Sequence, residues 1–154
     1  MTPTPQIREF IKGFEKLRLV AYKPTPNDVW TIGYGATGTG ITQDARWTEE
    51  QSDDRFARDV ERFSVGVRNA LDGAVTDQDQ FDAMVSFAFN VGIAGFTGST
   101  LLKRHKAGRY ADAVKEFAKW NKQTNKTTGK LEVLNGLTRR RGEEAGIYQG
   151  KWPK

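Results

Sequence analysis

Apolar residues Ile7, Phe10, Ile11 and Phe14 fall at i, i+3, i+4 and i+7, which is one face of a helix. Thr4 and Pro5 just ahead of them supply an N-cap and a first helical residue. From Leu19 the period changes. Leu19–Tyr22 is short and extended, Pro24-Thr25-Pro26-Asn27-Asp28 is turn chemistry, and Val29-Trp30-Thr31-Ile32 is β-rich. Residues 18–42 thus predict a small antiparallel hairpin with room for a third short strand. Thr48-Glu49-Glu50-Gln51 has capping-box form, and Phe56, Val60, Phe63, Val67 and Leu71 continue it as a helical stripe. Thr76-Asp77-Gln78-Asp79 opens another helix, with acids where the helix dipole favours them. The run from Phe81 to Val91 is apolar nearly all round, as in a buried central helix, and Gly92 and Gly95 stop it. Ser99–Ala107 and Tyr110–Trp120 predict two more helices, Asn121–Asn135 an exposed loop, and Thr138–Tyr148 a last short helix. The sum is an α+β chain, mostly helical, with its sheet segregated early.

Composition narrows the chemistry. At 154 residues the chain suits one domain and needs no metal or disulfide staple. It has no cysteine, which excludes thiolate nucleophiles and zinc–thiolate sites, and one histidine, His105, which cannot build a His-based metal site. No cofactor is implied. Any acid–base work falls to carboxylates. The net charge of +5 resolves into −4 over residues 1–102 and +9 over residues 103–154, an attraction for some anionic partner. The N-terminus lacks the pattern of a secretory signal, and no run of apolar residues is long enough to span a membrane.

Glu15 is the first candidate, because it directly follows the Ile7–Phe14 stripe at the C-terminal end of a helix. Neighbouring aromatic rings and the negative end of the helix dipole both raise a carboxyl pKa, which a general acid requires. Gly33-Tyr34-Gly35-Ala36-Thr37-Gly38 matches G-x-G-x-x-G, but no helix and no further parallel strands follow. The match is read as accidental, with glycines that let backbone pass close to another group. Asp77, Asp79 and Asp82 lack the glycine and glutamate of a calcium loop and read as first-turn acids. Arg139-Arg140-Arg141 reads either as a solvated helix face, as phosphate contacts or as the holder of a buried carboxylate. Trp30, Trp47, Trp120 and Trp152 read as core and lobe-edge packing, and His105 as an exposed or lobe-edge residue.

Two separated blocks resemble the phage-type lysozymes, the endolysins of glycoside hydrolase family 24. The first is Phe14-Glu15-Lys16-Leu17-Arg18-Leu19-Val20-Ala21-Tyr22-Lys23 with Val29-Trp30-Thr31-Ile32-Gly33-Tyr34-Gly35. The second is Gln80-Phe81-Asp82-Ala83-Met84-Val85-Ser86-Phe87-Ala88-Phe89-Asn90-Val91-Gly92, continuing through Phe96, Ser99-Thr100-Leu101-Leu102, Trp120-Asn121 and Gly136-Leu137. The resemblance implies a small β-lobe and a larger helical lobe joined by a long helix, with a cleft between them. On this sequence that gives a β-lobe over 15–47, a joining helix over 48–71, and a helical lobe from 1–14 and 72–154. It implies hydrolysis of the β-1,4 bond between N-acetylmuramic acid and N-acetylglucosamine, with inversion. Glu15 matches the family's catalytic glutamate and Thr31 its threonine. The family's middle residue, Asp or Cys nine positions after the glutamate, is Pro24 here, and the spacing to the threonine is one residue longer. Asp28 is the substitute candidate. Ala36 stands where the family commonly has histidine. By the same resemblance Asn90, Ser99, Tyr34 and Gly35 are substrate-binding candidates, and Arg140 or Arg141 orients Glu15.

The implied partner is the peptidoglycan glycan strand, met by a monomer. Without a leader, the protein would collect in the host cytoplasm and reach the periplasm through a holin. Two other classes fit the charge and the altered triad: a basic nucleic-acid-binding module, and a muramidase-like domain that binds glycan without cutting it.

Overall fold

The computed structural model describes all 154 residues, with eleven elements in chain order. They are α1 (Pro5–Phe14), β1 (Arg18–Tyr22), β2 (Thr31–Gly33), α2 (Glu49–Leu71), α3 (Gln78–Val91), α4 (Ile93–Thr97), α5 (Thr100–Lys106), α6 (Tyr110–Phe117), β3 (Lys122–Thr124), β4 (Leu131–Val133) and α7 (Asn135–Tyr148). The mostly helical α+β reading holds. Local chemistry sets the helix starts. Thr4 Oγ1 accepts from the Ile7 N–H with Pro5 in the first turn, and Thr48/Gln51 and Asp77/Gln80 form reciprocal capping boxes on α2 and α3. Gly92, at φ +93°, ends α3 in a conformation that a side chain would strain.

Two cores form. The larger wraps α3, whose residues from Gln80 to Ala88 are all buried, and it takes Ile7 and Ile11 from α1, Phe56 to Leu71 from one stripe of α2, and Ile147 from α7. Phe87 sits at its centre, with the rings of Phe96, Phe117 and Trp120 edge-on at 5.3–6.3 Å. The smaller core is Ala21, Ile32, Ala36 and Ile41, packed by Trp30 and Trp47. Between the two, Tyr34 meets Phe56 at 5.4 Å and Phe56 meets Phe89 at 5.6 Å, so aromatic contacts run along α2 from hairpin to helices.

β1 and β2 pair antiparallel, with Tyr22 opposite Thr31 and Arg18 opposite Gly33. No third strand forms within 18–42; beyond it Val20 bridges Arg46, with Ala21 N–H donating to Ala45 O and Trp47 N–H to Leu19 O. The segment read as a loop from Asn121 to Asn135 is instead a second antiparallel hairpin, β3–β4, although every strand residue in it is exposed as expected. Lys122, Gln123 and Thr124 carry no apolar alternation, and Leu131-Glu132-Val133 alternates over only three residues, too few to mark a strand. α7 begins at Asn135, three residues ahead of the expected start, and a short helix, α4, follows Gly92 with Gly95 inside it.

His105 corrects another expectation. It is buried, with Nδ1 2.6 Å from the Tyr148 hydroxyl and Nε2 2.8 Å from Thr76 Oγ1. Burial outweighs the nearby Asp77 charge and holds its pKa below the ordinary histidine value. The sign of the linkage follows. Above about pH 6.5 the ring is neutral folded or unfolded, and below it the unfolded chain takes up a proton that the folded ring resists. The stability advantage of the wild type over His105→Gln is therefore expected to shrink as pH falls from 7.5 to 5.5. Urea midpoints of the two proteins across that range test it.

Candidate active site

Glu15 is the C-cap of α1, its N–H donating to Lys12 O and its backbone already extended at φ −103°, ψ 120°. Leaving the helix there swings the carboxylate off the Phe14 end of α1 into a groove whose other walls come from Asn90, Gln123, Leu134, Leu137 and Arg140. Its side chain is 23% exposed. Burial is the largest influence on it and raises its pKa, and Arg140 opposes that shift by charge and hydrogen bonding without cancelling it. A carboxyl group so placed keeps its proton to higher pH than a surface glutamate does.

Arg140 Nη1 lies 3.5 Å from Glu15 Oε1. The guanidinium is nearly sealed, at 3% exposure, and its other nitrogens are occupied: Nε donates to Glu144 Oε2 at 3.2 Å and Nη2 to the Ser86 carbonyl at 3.1 Å. It also lies 5.1 Å from the centre of the Phe14 ring. Of the two arginines named as orienting candidates, only Arg140 pairs with Glu15. Arg141 sits one step around α7, over the Phe87 ring at 5.1 Å, and its Nε is 2.7 Å from Glu144 Oε1. Successive helical residues diverge by about 100°, so one arginine faces the groove and its neighbour the core. Glu144, fully buried, thus spans both guanidinium groups and accepts from Ser86 Oγ at 2.5 Å. Sequence reasoning missed Glu144 and Ser86. The i, i+3 and i, i+4 spacings from the two arginines were the available signal for Glu144.

The glycine-rich turn meets the carboxylate from the other side. A Cβ built on Gly35 would lie 3.0 Å from Glu15 Oε2, and Gly35 has φ +88°. Ile32 and Ala36 exchange both backbone hydrogen bonds, at 3.0 and 2.8 Å, so no helix opens after Gly33 and the group approached by the glycine is Glu15. Gly35→Ala is expected to lower turnover at least tenfold through the displaced carboxylate, with a melting loss of a few degrees from backbone strain. Activity assays beside a thermal melt check both parts.

The other candidates spread out. Thr31 opens β2, is 6% exposed, and donates from Oγ1 to Val29 O at 3.1 Å, which leaves its oxygen free as an acceptor. Asn90 is exposed on the groove wall. Ser99 is not on the groove: it is buried as the N-cap of α5, accepting from the Leu102 N–H and donating to Phe96 O at 2.6 Å. Tyr34 also turns away, its ring against Phe56 and its face 4.9 Å from the Lys12 ammonium. Asp28 accepts from Thr25 Oγ1 at 2.9 Å and pairs with Lys126 of the β3–β4 hairpin. Both contacts hold its carboxyl below the usual range. It lines a polar recess next to the Glu15 groove, with Gln123 and Leu134 shared between the two. The acids at the start of α3 have structural partners, Asp82 accepting from Thr4 and Gln78, and Asp79 from the Trp152 indole.

The chain matches the family described as phage lysozyme over residues 12–144. It belongs to that family. An endolysin of Bacillus phage PZA is 43% identical over 94% of this chain, and the chain spans about half the length (54%) of that relative. The endolysin of Acyrthosiphon pisum secondary endosymbiont phage 1 is 37% identical, with 90% of this chain and 92% of that protein covered. Among solved structures, an endolysin from Escherichia coli O157:H7 phage FAHEc1 superposes with TM-score 0.88 at 37% identity, covering 100% of this chain and 98% of its own. The muramidase domain of SpmX from Asticaccaulis excentricus gives 0.83 at 35%, covering 94% and 95%. The lysozyme-like fold expected from the two sequence blocks is the fold observed.

Proposed function

We propose that this phage-lysozyme-family chain is an endolysin that hydrolyses the β-1,4 bond between N-acetylmuramic acid and N-acetylglucosamine in peptidoglycan. The observation that carries the reading is a half-buried glutamate whose pKa is raised, facing a groove and fixed by a buried arginine. Glycoside hydrolysis needs a proton at the leaving oxygen while positive charge develops on the sugar ring. Glu15 donates that proton. Thr31, with an acceptor oxygen to spare, holds the attacking water on the opposite face, and the product inverts. Asp28, the substitute carboxylate of the sequence, already accepts from Thr25 Oγ1 and pairs with Lys126, and is placed outside the reacting set. Asn90 and the Gly35 backbone border the sugar, and Arg140 keeps Glu15 in its rotamer.

The protein acts as a monomer on glycan strands, accumulates in the host cytoplasm and reaches the wall when a holin opens the inner membrane. No helix is long and apolar enough to cross a membrane by itself. Incubation with purified peptidoglycan tests the reading. New reducing ends on N-acetylmuramic acid, released first in the inverted anomeric form, are expected. Sedimentation with the wall and no new reducing ends would show a binding domain instead. Tight DNA retention at physiological salt would favour the nucleic-acid reading of the basic C-terminal third.

A further inference from the structure

The β3–β4 hairpin leaves the helical body at Lys122 and reaches back to the turn between β1 and β2, almost a hundred residues earlier in the chain. Two contacts join them. Asn27 Nδ2 donates to the Lys126 carbonyl at 3.2 Å, and the Lys126 ammonium pairs with Asp28. The hairpin rests on little else: its strand residues are all exposed, and Leu131 and Val133 turn outward at 68% and 56% exposure. Antiparallel alternation sends Gln123 and Glu132 to the opposite face from Thr124 and Leu131. Gln123 lines both the Asp28 recess and the Glu15 groove, and its amide has no protein partner. An isolated two-stranded hairpin is marginal in water, so the lobe-to-lobe contacts are what can hold this one in place.

We propose that Lys126 is a positioning residue: paired with Asp28, it clasps the β3–β4 hairpin to the β1–β2 turn, sets the width of the groove over Glu15 and presents the Gln123 amide to the acetamido-bearing glycan. The proposal rests on the muramidase reading of the groove and assigns Asp28 to the clasp. Its carboxylate already accepts from Thr25 and Lys126, whereas a base for water needs a lone pair facing the sugar. Opening the clasp weakens glycan capture and leaves the proton donor where it is.

Charge reversal separates a clasp from a base, because only a clasp survives exchange of its ends. Asp28→Lys and Lys126→Asp are each expected to raise KM for solubilised peptidoglycan about two- to fivefold, the scale of a partly exposed ion pair, with kcat within about twofold. The double exchange returns KM to near wild type, Lys126→Arg keeps it, and about 1 M salt narrows the gap between wild type and the single variants. Hydrogen exchange over residues 122–133 gives a readout independent of turnover: faster in each single variant, restored in the exchange. The proposal is overturned if Asp28→Lys lowers kcat about tenfold or more and the double variant keeps that loss, which makes residue 28 the base, or if the single variants keep wild-type KM and exchange. Should the wild type cut no peptidoglycan, the muramidase reading falls alone, and the exchange data still decide the clasp.

Discussion

Glu15→Gln is expected to abolish peptidoglycan hydrolysis, lowering kcat by about 10²–10⁴, the range supplied by a positioned general acid, while the variant melts higher than the wild type at pH 7. The two effects share one cause. Burial raises the Glu15 pKa against the opposing pull of Arg140, so the folded protein holds that proton more strongly than the unfolded chain does. Its contribution to stability is complete below the unfolded value, about 4.3, and is lost as pH rises through the folded value. Glutamine is neutral at every pH and escapes that loss. The melting advantage of Glu15→Gln should therefore be present at pH 7 and gone near pH 4, and the wild-type rate should fall with rising pH as Glu15 ionises. A variant that is inactive but melts lower at neutral pH would mean that the carboxylate is retained for its contact with Arg140 and not for its proton. Residual hydrolysis at near wild-type rate would remove Glu15 from the mechanism.

Glu144→Ala is the largest stability change expected away from the reacting groups. It strips the shared carboxylate from two guanidinium groups of 3% and 1% exposure and leaves two like charges side by side in the core. Breaking a buried pair by removing one partner costs about 3–5 kcal/mol, which in a chain of this length lowers the melting temperature by roughly 6–20 °C. Activity should suffer beyond the unfolding. Arg140, released from Glu144, can move its whole charge onto Glu15 and lower that pKa, so the alkaline limb of the rate profile shifts to lower pH. Denaturant titration and a pH–rate profile at a temperature where the variant is folded separate the two losses.

How far the chain could be read depended on range. Helix starts were legible because a cap and its N–H lie three residues apart, as at Thr48/Gln51 and Asp77/Gln80. Glu15 was legible for the same reason: the stripe that ends at Phe14 places it. Long-range partners were not. Nothing local distinguishes Arg140 from Arg141, and only the direction of α7 sends one to Glu15 and the other to Phe87. Ser99 looked like a sugar contact by resemblance, but the backbone ahead of α5 needed a cap and took its hydroxyl. A lone histidine carries no signal of burial, so the two hydroxyls on its ring came from the fold alone. The β3–β4 hairpin hid behind a polar β3 and a β4 too short to show alternation, and with it the partner of Asp28.

The arginine pair on α7 can be followed as a ledger of charge through one turnover. Arg140, Arg141 and Glu144 together carry one surplus positive charge beside a protonated Glu15. If Glu15 gives its proton to a departing sugar, as proposed, the four groups become neutral as a set. On the proposed mechanism, the state after proton transfer is the one the interior balances, and the imbalance belongs to the protonated state that precedes it. Such an arrangement limits how far burial can strengthen the grip of Glu15 on its proton, and on the proposed mechanism recharging from solvent, once product leaves, is the step that restores the imbalance.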